Sequence, residues 1–198
     1  VRPAGATGAE TRRRVEGAAL RLFAAQGFAA TGIRQLAREA GITSAALYGY
    51  MATKEDLLLA LMRGLMEPLL EESRVIAARA EPAVARLRAL AIRHVTLHGE
   101  HPLAARVADT ELRALAGDAL AGMLALRDAY EALWVAVIDD GVLEGTFATA
   151  DTRITAIALI DLCGGVSDWY QPDGRHSLAR IAAMHADLCI AAIRMPPT

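Results

Sequence analysis

The sequence predicts an all-α fold, and three observations carry that expectation. Alanine and leucine dominate an apolar fraction of 54%, with aromatics at only 5%; these residues favour helix, and the β-branched and aromatic enrichment of strands is missing. Apolar residues recur at three- and four-residue spacing rather than alternating. Glycines, prolines and Ser/Thr/Asp caps then divide the chain into segments of helical length.

The stretch ETRRRVEGAALRLFAAQGF sets Val15, Ala18, Ala19, Leu22 and Phe23 on one helical face. Gly27 supplies a C-terminal stop, and Phe28 is placed to fold back onto that end. A short helix follows over IRQLAREA, with Gly32 as N-cap, Gln35 at the third position and Gly41 as its end. Thr43 caps a third helix from Ser44 to about Gly49. Two short helices across a tight glycine turn read as helix-turn-helix, although a plain three-helix bundle fits the same periodicity. Leu36, Ala37, Ala40, Ile42 and Leu47 are expected to form the core of this unit.

Thr53, followed by Lys54, Glu55 and Asp56, starts a long helix with acids in its first turn. It is expected to reach about Ala80, bent at Pro68, where proline removes a ladder bond. Pro82 suits the first turn of the next helix, which ends near Gly99, and Pro102 starts a short one. A long helix covers about Gly117 to Asp140 and stops at DDGVLEG. Asp151 caps a helix reaching Trp169, QPDGRH breaks the chain, and Ser177 caps a last helix to Met195. Nothing reads as strand, and there is no internal repeat or low-complexity linker.

A length of 198 residues suits one medium domain or two small ones. No apolar run approaches the roughly 18–20 residues that span a bilayer. The arginine-rich start runs into an amphipathic helix rather than an unbroken apolar stretch, so a cytoplasmic protein without membrane association is expected. Cys163 and Cys189 form no recognisable motif, and their apolar company reads as inert core rather than a disulfide framework or redox switch. The net charge of −2 hides an asymmetry. Residues 1–54 hold eight basic and three acidic side chains, a net of +5, whereas residues 55–198 hold thirteen and twenty, a net of −7. A basic first quarter on an acidic body points to an anion at one end, with nucleic acid the foremost partner.

GITSAALYGYMATKEDLLLAL carries two tyrosines two residues apart and the chain's only lysine, Lys54, among twenty arginines. The longer segment AALRLFAAQGFAATGIRQLAREAGITSAALYGYMATKEDLLLALM closely resembles the N-terminal domain of the TetR (tetracycline-repressor-like) family of bacterial regulators. The shared pattern is a helix, G-[FY], a Thr-rich entry, A-x-x-A-G-[IV]-[ST], L-Y-x-[YH]-F and K-x-x-L. ADTELRAL, DDGVLEGTF and DWYQPDGR look similar to the family's C-terminal regions. Gly32 stands where a Thr or Ser cap is usual, and Met51 replaces a common Phe; neither departure puts the DNA binding that the resemblance implies in doubt.

The resemblance implies an all-helical homodimer. A three-helix DNA-binding domain would occupy residues 1–53, and a helical ligand-binding and dimerisation domain residues 54–198. It places Arg34, Thr43, Ser44, Ala45, Tyr48, Tyr50 and Lys54 at positions that face DNA. The chemistry agrees: the start of a recognition helix reaches base edges, while phenols and an ammonium suit phosphates. A core role with a satisfied hydroxyl stays open for Tyr50. The last two helices would build the dimer face, with Ile154, Ile157, Ala158, Leu162, Ile181, Ala182, Leu188 and Ile193 as its apolar residues.

A pocket is expected among the helices bearing Met62, Met66, Leu97, Met123, Leu126 and Trp134, opening near Trp169 and Arg175. Such stripes also build ordinary core, and sequence does not separate the two. GGVSDWYQPDGR resembles the end of the penultimate helix in family members that respond to acyl-CoA thioesters; it could equally be a rigid turn. His94, His98 and His101 have spacings a metal could use, but Pro102 puts His101 outside the helix and no other ligand completes a set. No phosphate loop and no nucleophile signature appears, so neither an enzyme nor a bound cofactor is expected. The expected function is a ligand-responsive repressor binding a palindromic operator as a dimer, induced by an acyl-CoA or another apolar small molecule. Its rivals are a metal-responsive regulator acting through the three histidines and a helical small-molecule binder without DNA binding.

Overall fold

The computed structural model describes residues 8–195; Arg2, counted above in the basic first quarter, lies outside them. The N-terminal unit consists of α1 (Gly8–Gln26), α2 (Ile33–Glu39) and α3 (Ser44–Leu47). The body consists of α4 (Lys54–Ala77), α5 (Ala83–Glu100), α6 (Pro102–Thr110), α7 (Gly117–Leu143), α8 (Thr152–Gly164), α9 (Val166–Trp169) and α10 (Leu178–Ile193). The chain is all-α, and among the described residues the sole β-type contact is an isolated bridge between Phe147 and Arg194. None of the described helices is long and apolar enough to cross a membrane.

α1 buries Val15, Ala18, Ala19 and Phe23, with Leu22 at the edge of the stripe. Gly27 ends it at φ +85, a conformation that side chains disfavour. The Phe28 ring meets Phe23 edge-on with centroids 5.3 Å apart. α2 starts at Gly32, which offers no side-chain cap. Gln35 turns sideways to exchange hydrogen bonds of 2.9 and 3.1 Å with Gln26 instead of reaching back to its own N-terminus. α3 is a single turn, shorter than expected, and the Thr43 hydroxyl accepts the Ala46 N–H at 3.1 Å. Leu36, Ala37, Ala40 and Leu47 are buried and Ile42 is half-buried, so the small core forms on the residues the periodicity selects.

α4 opens on a capping box in which Thr53 and Asp56 each accept the other's backbone N–H, at 3.0 and 2.9 Å. It continues unbroken through Pro68 and ends at Ala77, short of Ala80. Pro82 is the N-cap of α5 rather than a residue of its first turn. Two boundaries differ more. α7 runs past Asp140 to Leu143, because Gly141 serves as a packing gap rather than a stop. A Cβ at Gly141 would lie 2.0 Å from the fully buried Phe147 ring. The stop is Gly145, at φ +71. The helix expected to reach Trp169 is broken at Gly165, which both ends α8 and starts α9. The Asp151 and Ser177 caps form, accepting from Ile154 and Arg180.

In the body, α10 lies along α5 and α4 pairs with α7. α6 is wedged against α1, α4, α5 and α9, which makes it the main bridge between the N-terminal unit and the body. Among residues expected on a dimer face, Ile181, Ala182 and Ile193 are buried within the protomer, since α10 turns that side to α5. Ile154, Ile157, Ala158, Leu162 and Leu188 remain exposed.

Candidate DNA interface and ligand cavity

The N-terminal unit presents Arg34, Thr43, Ala45 and Tyr48 to solvent, with Ser44 half-buried. Tyr48 is 56% exposed, high for a phenol that has no internal partner to satisfy. Arg12, Arg13, Arg34 and Arg38 are exposed and form no ion pair with another described residue. Tyr50 is half-buried, packs against the core and lines a small cleft between α1 and α4 with Arg12 and Val15.

Two basic residues have inward tasks. Lys54, the first residue of α4, donates from Nζ to the carbonyls of Phe28 at 2.7 Å and Thr31 at 2.9 Å. The same ammonium lies 4.1 Å from the Phe28 ring centroid, a cation–π contact. It thereby fastens the turn between α1 and α2 to the start of α4. Its neighbour Glu55 accepts the Ala116 N–H at 3.0 Å, just before α7. Arg14 donates from Nε to Ala40 O at 3.1 Å and from Nη2 to Gly41 O at 3.0 Å, capping the carbonyls that α2 leaves open. Gly41 has φ +67, and a Cβ there would sit 2.7 Å from Arg14 Nη2. Sequence reasoning passed over Arg14, although its position four residues before Ala18 sets it at the edge of the buried stripe.

A cavity of about 500 Å³ lies in the body between α4 and α9. Of the residues expected around a pocket, Met66 alone lines it; Met62, Leu97, Met123 and Trp134 are buried core, and Leu126 packs against that core. Its wall is more polar than expected. Arg106, Asp109, Arg127, Glu131, Asp161 and Asp168 surround it alongside Leu65, Leu69, Ile157 and Ile160. Arg127 pairs with Asp109 at 3.5 Å and Arg106 with Asp168 at 3.3 Å. These charges are spread over four helices, α6 to α9, with no shared motif, so the sequence carried no signal for their convergence.

The deep end of the cavity holds His94 and His98, one turn apart on α5, with rings stacked at 4.0 Å. His94 Nδ1 is 2.8 Å from the Tyr130 hydroxyl. His98 Nδ1 is 3.0 Å from His94 O, and its Nε2 is 3.8 Å from Asp109 Oδ2. Burial, then the neighbouring His98 and Arg93, hold His94 well below the usual imidazole range. Burial lowers His98 as well, against the opposing pull of Asp109. Asp109 is raised by burial, partly offset by His98 and Arg127. Burial raises Tyr130, which keeps its proton. His101 is exposed at the end of α5, away from the stacked pair, and no group of three or more metal-ligating side chains is found among the described residues.

Trp169 and Arg175 line a second cleft of about 320 Å³, not the mouth of the cavity. α9 separates the two, with Ser167 and Asp168 on the cavity side and Trp169, stacked at 6.1 Å on His185, in the cleft. Cys163 and Cys189 are both fully buried, as their apolar neighbours imply, yet α8 and α10 bring their sulfurs to 3.6 Å. Contact with Cys189 and burial raise the Cys163 thiol, which stays protonated.

Comparison with known proteins accords with this architecture. Residues 17–61 match the bacterial regulatory proteins of the tetR family, and residues 80–193 match the tetracyclin repressor-like C-terminal domain. The HTH-type transcriptional repressor KstR2 of Rhodococcus jostii is 27% identical over 98% of this chain and 97% of its own. The crystal structure of a tetR-family regulatory protein from Rhodococcus RHA1 superposes with a TM-score of 0.85 at 26% identity, covering 95% of this chain and 99% of that one. AibR, solved in complex with isovaleryl coenzyme A and operator DNA, shares the fold with a TM-score of 0.79 at 23% identity, over 90% of this chain and 97% of its own. With its C-terminal match spanning more than half of the sequence, and the helix-turn-helix matched as well, the chain belongs to the TetR family of bacterial transcriptional regulators.

Proposed function

We propose that the protein is a ligand-responsive repressor that binds a palindromic operator as a homodimer and releases it when a small molecule fills the cavity. Residues 1–53 take the DNA-binding role and residues 54–198 the ligand-binding and dimerisation roles. The observation that carries this reading is α6. One stretch of it, Arg106 to Thr110, lines the cavity, and the same helix packs on α1 of the helix-turn-helix unit. At its end the Glu111 carboxylate comes to 3.5 Å from the Cβ position of Gly27, the residue that closes α1. A ligand that binds one placement of α6 better than another therefore shifts the orientation of the DNA-binding unit.

Within that reading, Thr43, Ser44 and Ala45 face base edges, and Arg34 and Tyr48 face phosphates. Lys54 acts chiefly by holding the α1–α2 turn, and Tyr50 by filling the cleft beside α1. The exposed apolar residues of α8 and α10 meet a second copy across a two-fold axis. That axis sets the recognition helices about 34–36 Å apart, one DNA turn. An acyl-CoA fits the two-part site best, with the acyl body in the cavity and the head group across α9 toward Trp169 and Arg175. The AibR complex supports this ligand class, and the carboxylates around the cavity argue for keeping the phosphates outside it.

Fluorescence anisotropy of labelled operator tests the reading. The complex is expected to weaken with salt at a log–log slope of about −6, for roughly seven phosphates per dimer. Acyl-CoAs of graded chain length should release the DNA at micromolar concentration, and zinc or chelator should not. A monomeric mass in light scattering would exclude the dimer; release by uncharged hydrophobic compounds but by no thioester would exclude CoA. Absence of any operator binding would leave the rival of a helical small-molecule binder.

A further inference from the structure

The deep end of the cavity contains hydrogen-bonding capacity that the protein itself leaves unanswered. His94 is 4% exposed and lines the cavity, and its Nε2 has no hydrogen-bond partner among the described residues. The tautomer follows from its neighbours. The Tyr130 hydroxyl is buried beside the ring and keeps its proton. A phenol O–H is the stronger donor and a neutral imidazole nitrogen the stronger acceptor, so the Tyr130 proton points to His94 Nδ1, 2.8 Å away. His94 Nε2 then carries a hydrogen. His98 Nδ1 faces the His94 carbonyl at 3.0 Å, which can only accept. In the neutral ring its hydrogen is on Nδ1 and Nε2 offers a lone pair.

The two Nε2 atoms converge on one place. A Cβ at Gly164 would be 3.4 Å from His94 Nε2 and 3.6 Å from His98 Nε2. The missing side chain of Gly164 leaves a space flanked by one donor and one acceptor. A carbonyl oxygen answers only the donor, and a methyl group answers neither. A hydroxyl answers both, since it accepts through its oxygen and donates its proton.

We propose that the inner end of this cavity is a hydroxyl-binding subsite, built from His94 and His98 over Gly164, and that the part of the ligand entering it is an apolar body bearing an alcohol group. A water molecule satisfies the same pair when no ligand is present, and the alcohol takes its place. The link from this subsite to DNA release rests on the function proposed above; the recognition chemistry does not.

The test is a series of equal skeleton, cyclodecanol, cyclodecanone and cyclodecane, titrated into the full chain. Calorimetry gives affinity, and the imidazole nitrogen NMR signals of His94 and His98 report the site. Cyclodecanol is expected to shift both imidazoles and to bind about tenfold more tightly than the ketone, because the ketone leaves one buried group unpaired. Gly164→Val, which fills the space between the two Nε2 atoms, should abolish that preference. His94→Phe should do so independently, with thermal melting of each variant showing that it is folded. Equal affinity for alcohol and ketone, shifts at other residues, or no binding of the alcohol overturns the subsite. Operator anisotropy separates the two claims: alcohol and ketone releasing DNA equally well removes the subsite and leaves ligand response. Alcohol bound at both imidazoles without release removes the response and leaves the subsite.

Discussion

The two ends of the molecule treat their polar groups in opposite ways. In the helix-turn-helix unit, helix ends and turns are closed by dedicated donors. Lys54 meets Phe28 and Thr31 carbonyls, Arg14 meets Ala40 and Gly41, and the Thr31 hydroxyl donates to Gly27 O at 2.8 Å. Arg12, Arg13, Arg34, Arg38 and Tyr48 are left exposed there without a partner among the described residues. At the deep end of the cavity, His94 Nε2 is buried without a partner among the described residues. A buried polar group without a partner is costly, and it persists where something outside the chain can complete it. The first region is finished by its own sequence, so it holds one shape against DNA. The second is left incomplete, and on the function proposed above its preferred shape would depend on what enters.

The sharpest way to break that contrast is Lys54→Ala. It strands two carbonyls and removes the cation from the Phe28 ring, and is expected to lower stability by about 2–3 kcal/mol in urea unfolding. DNA binding should weaken while the salt slope stays unchanged; a slope flattened by about two units per dimer would make Lys54 a phosphate contact instead. Arg14→Ala should cost about 1–2 kcal/mol through the freed carbonyls of α2. Gly41→Ala should approach the same loss, since it combines a left-handed strain of about 1 kcal/mol with displacement of Arg14.

The cavity should behave in reverse. His94→Phe combined with Tyr130→Phe removes both partners of a buried bond and is expected to leave stability within about 1 kcal/mol of the parent, or to raise it. Its pH dependence carries the sign. The unfolded chain takes up protons near the ordinary imidazole value of 6.5, whereas folded His94 resists them. The parent is therefore fully stabilised above that value and loses stability as the pH falls below it. Asp109, raised in the fold, acts the other way, because its burial penalty is relieved on acidification. Thermal melts across this range should show a weaker acid loss in the double variant. The smallest effect on stability belongs to Arg34→Ala, less than about 0.5 kcal/mol, with the operator salt slope reduced by about two units per dimer.

Much of the fold was legible because it is punctuated locally. Thr43, Thr53, Asp151 and Ser177 all cap where their types and positions suggest, and Gly27 closes α1. One misplaced boundary is where a glycine has a tertiary purpose. Gly141 admits Phe147, and no local pattern distinguishes that use from a stop. The exposure of Arg34 and Tyr48 follows from helical spacing against Leu36, Ala37 and Leu47. The cavity was harder to see. Histidines four residues apart and Tyr130 one turn before Trp134 marked a polar stripe within apolar helices. Their meeting depends on how α5 lies against α7, and the charged rim draws on residues from 106 to 168. The inward task of Lys54 was hidden for the same reason, since a lysine at a helix start suits a phosphate and a distant carbonyl equally well.

The first turn of α4 has a mechanical consequence. Consecutive residues there are fastened to different bodies, Lys54 to the α1–α2 turn and Glu55 to the amide ahead of α7. Neighbouring side chains leave a helix about 100° apart, so the two ties pull on α4 from different sides of its axis. Sliding the helix along its length strains both together, whereas rolling it tightens one and slackens the other. The junction therefore works like a pair of guy lines on a mast, stiff in some directions and compliant in others. On the function proposed above, an axial displacement of α4 would carry the helix-turn-helix unit with it, and a rotation would change the angle at which that unit is held.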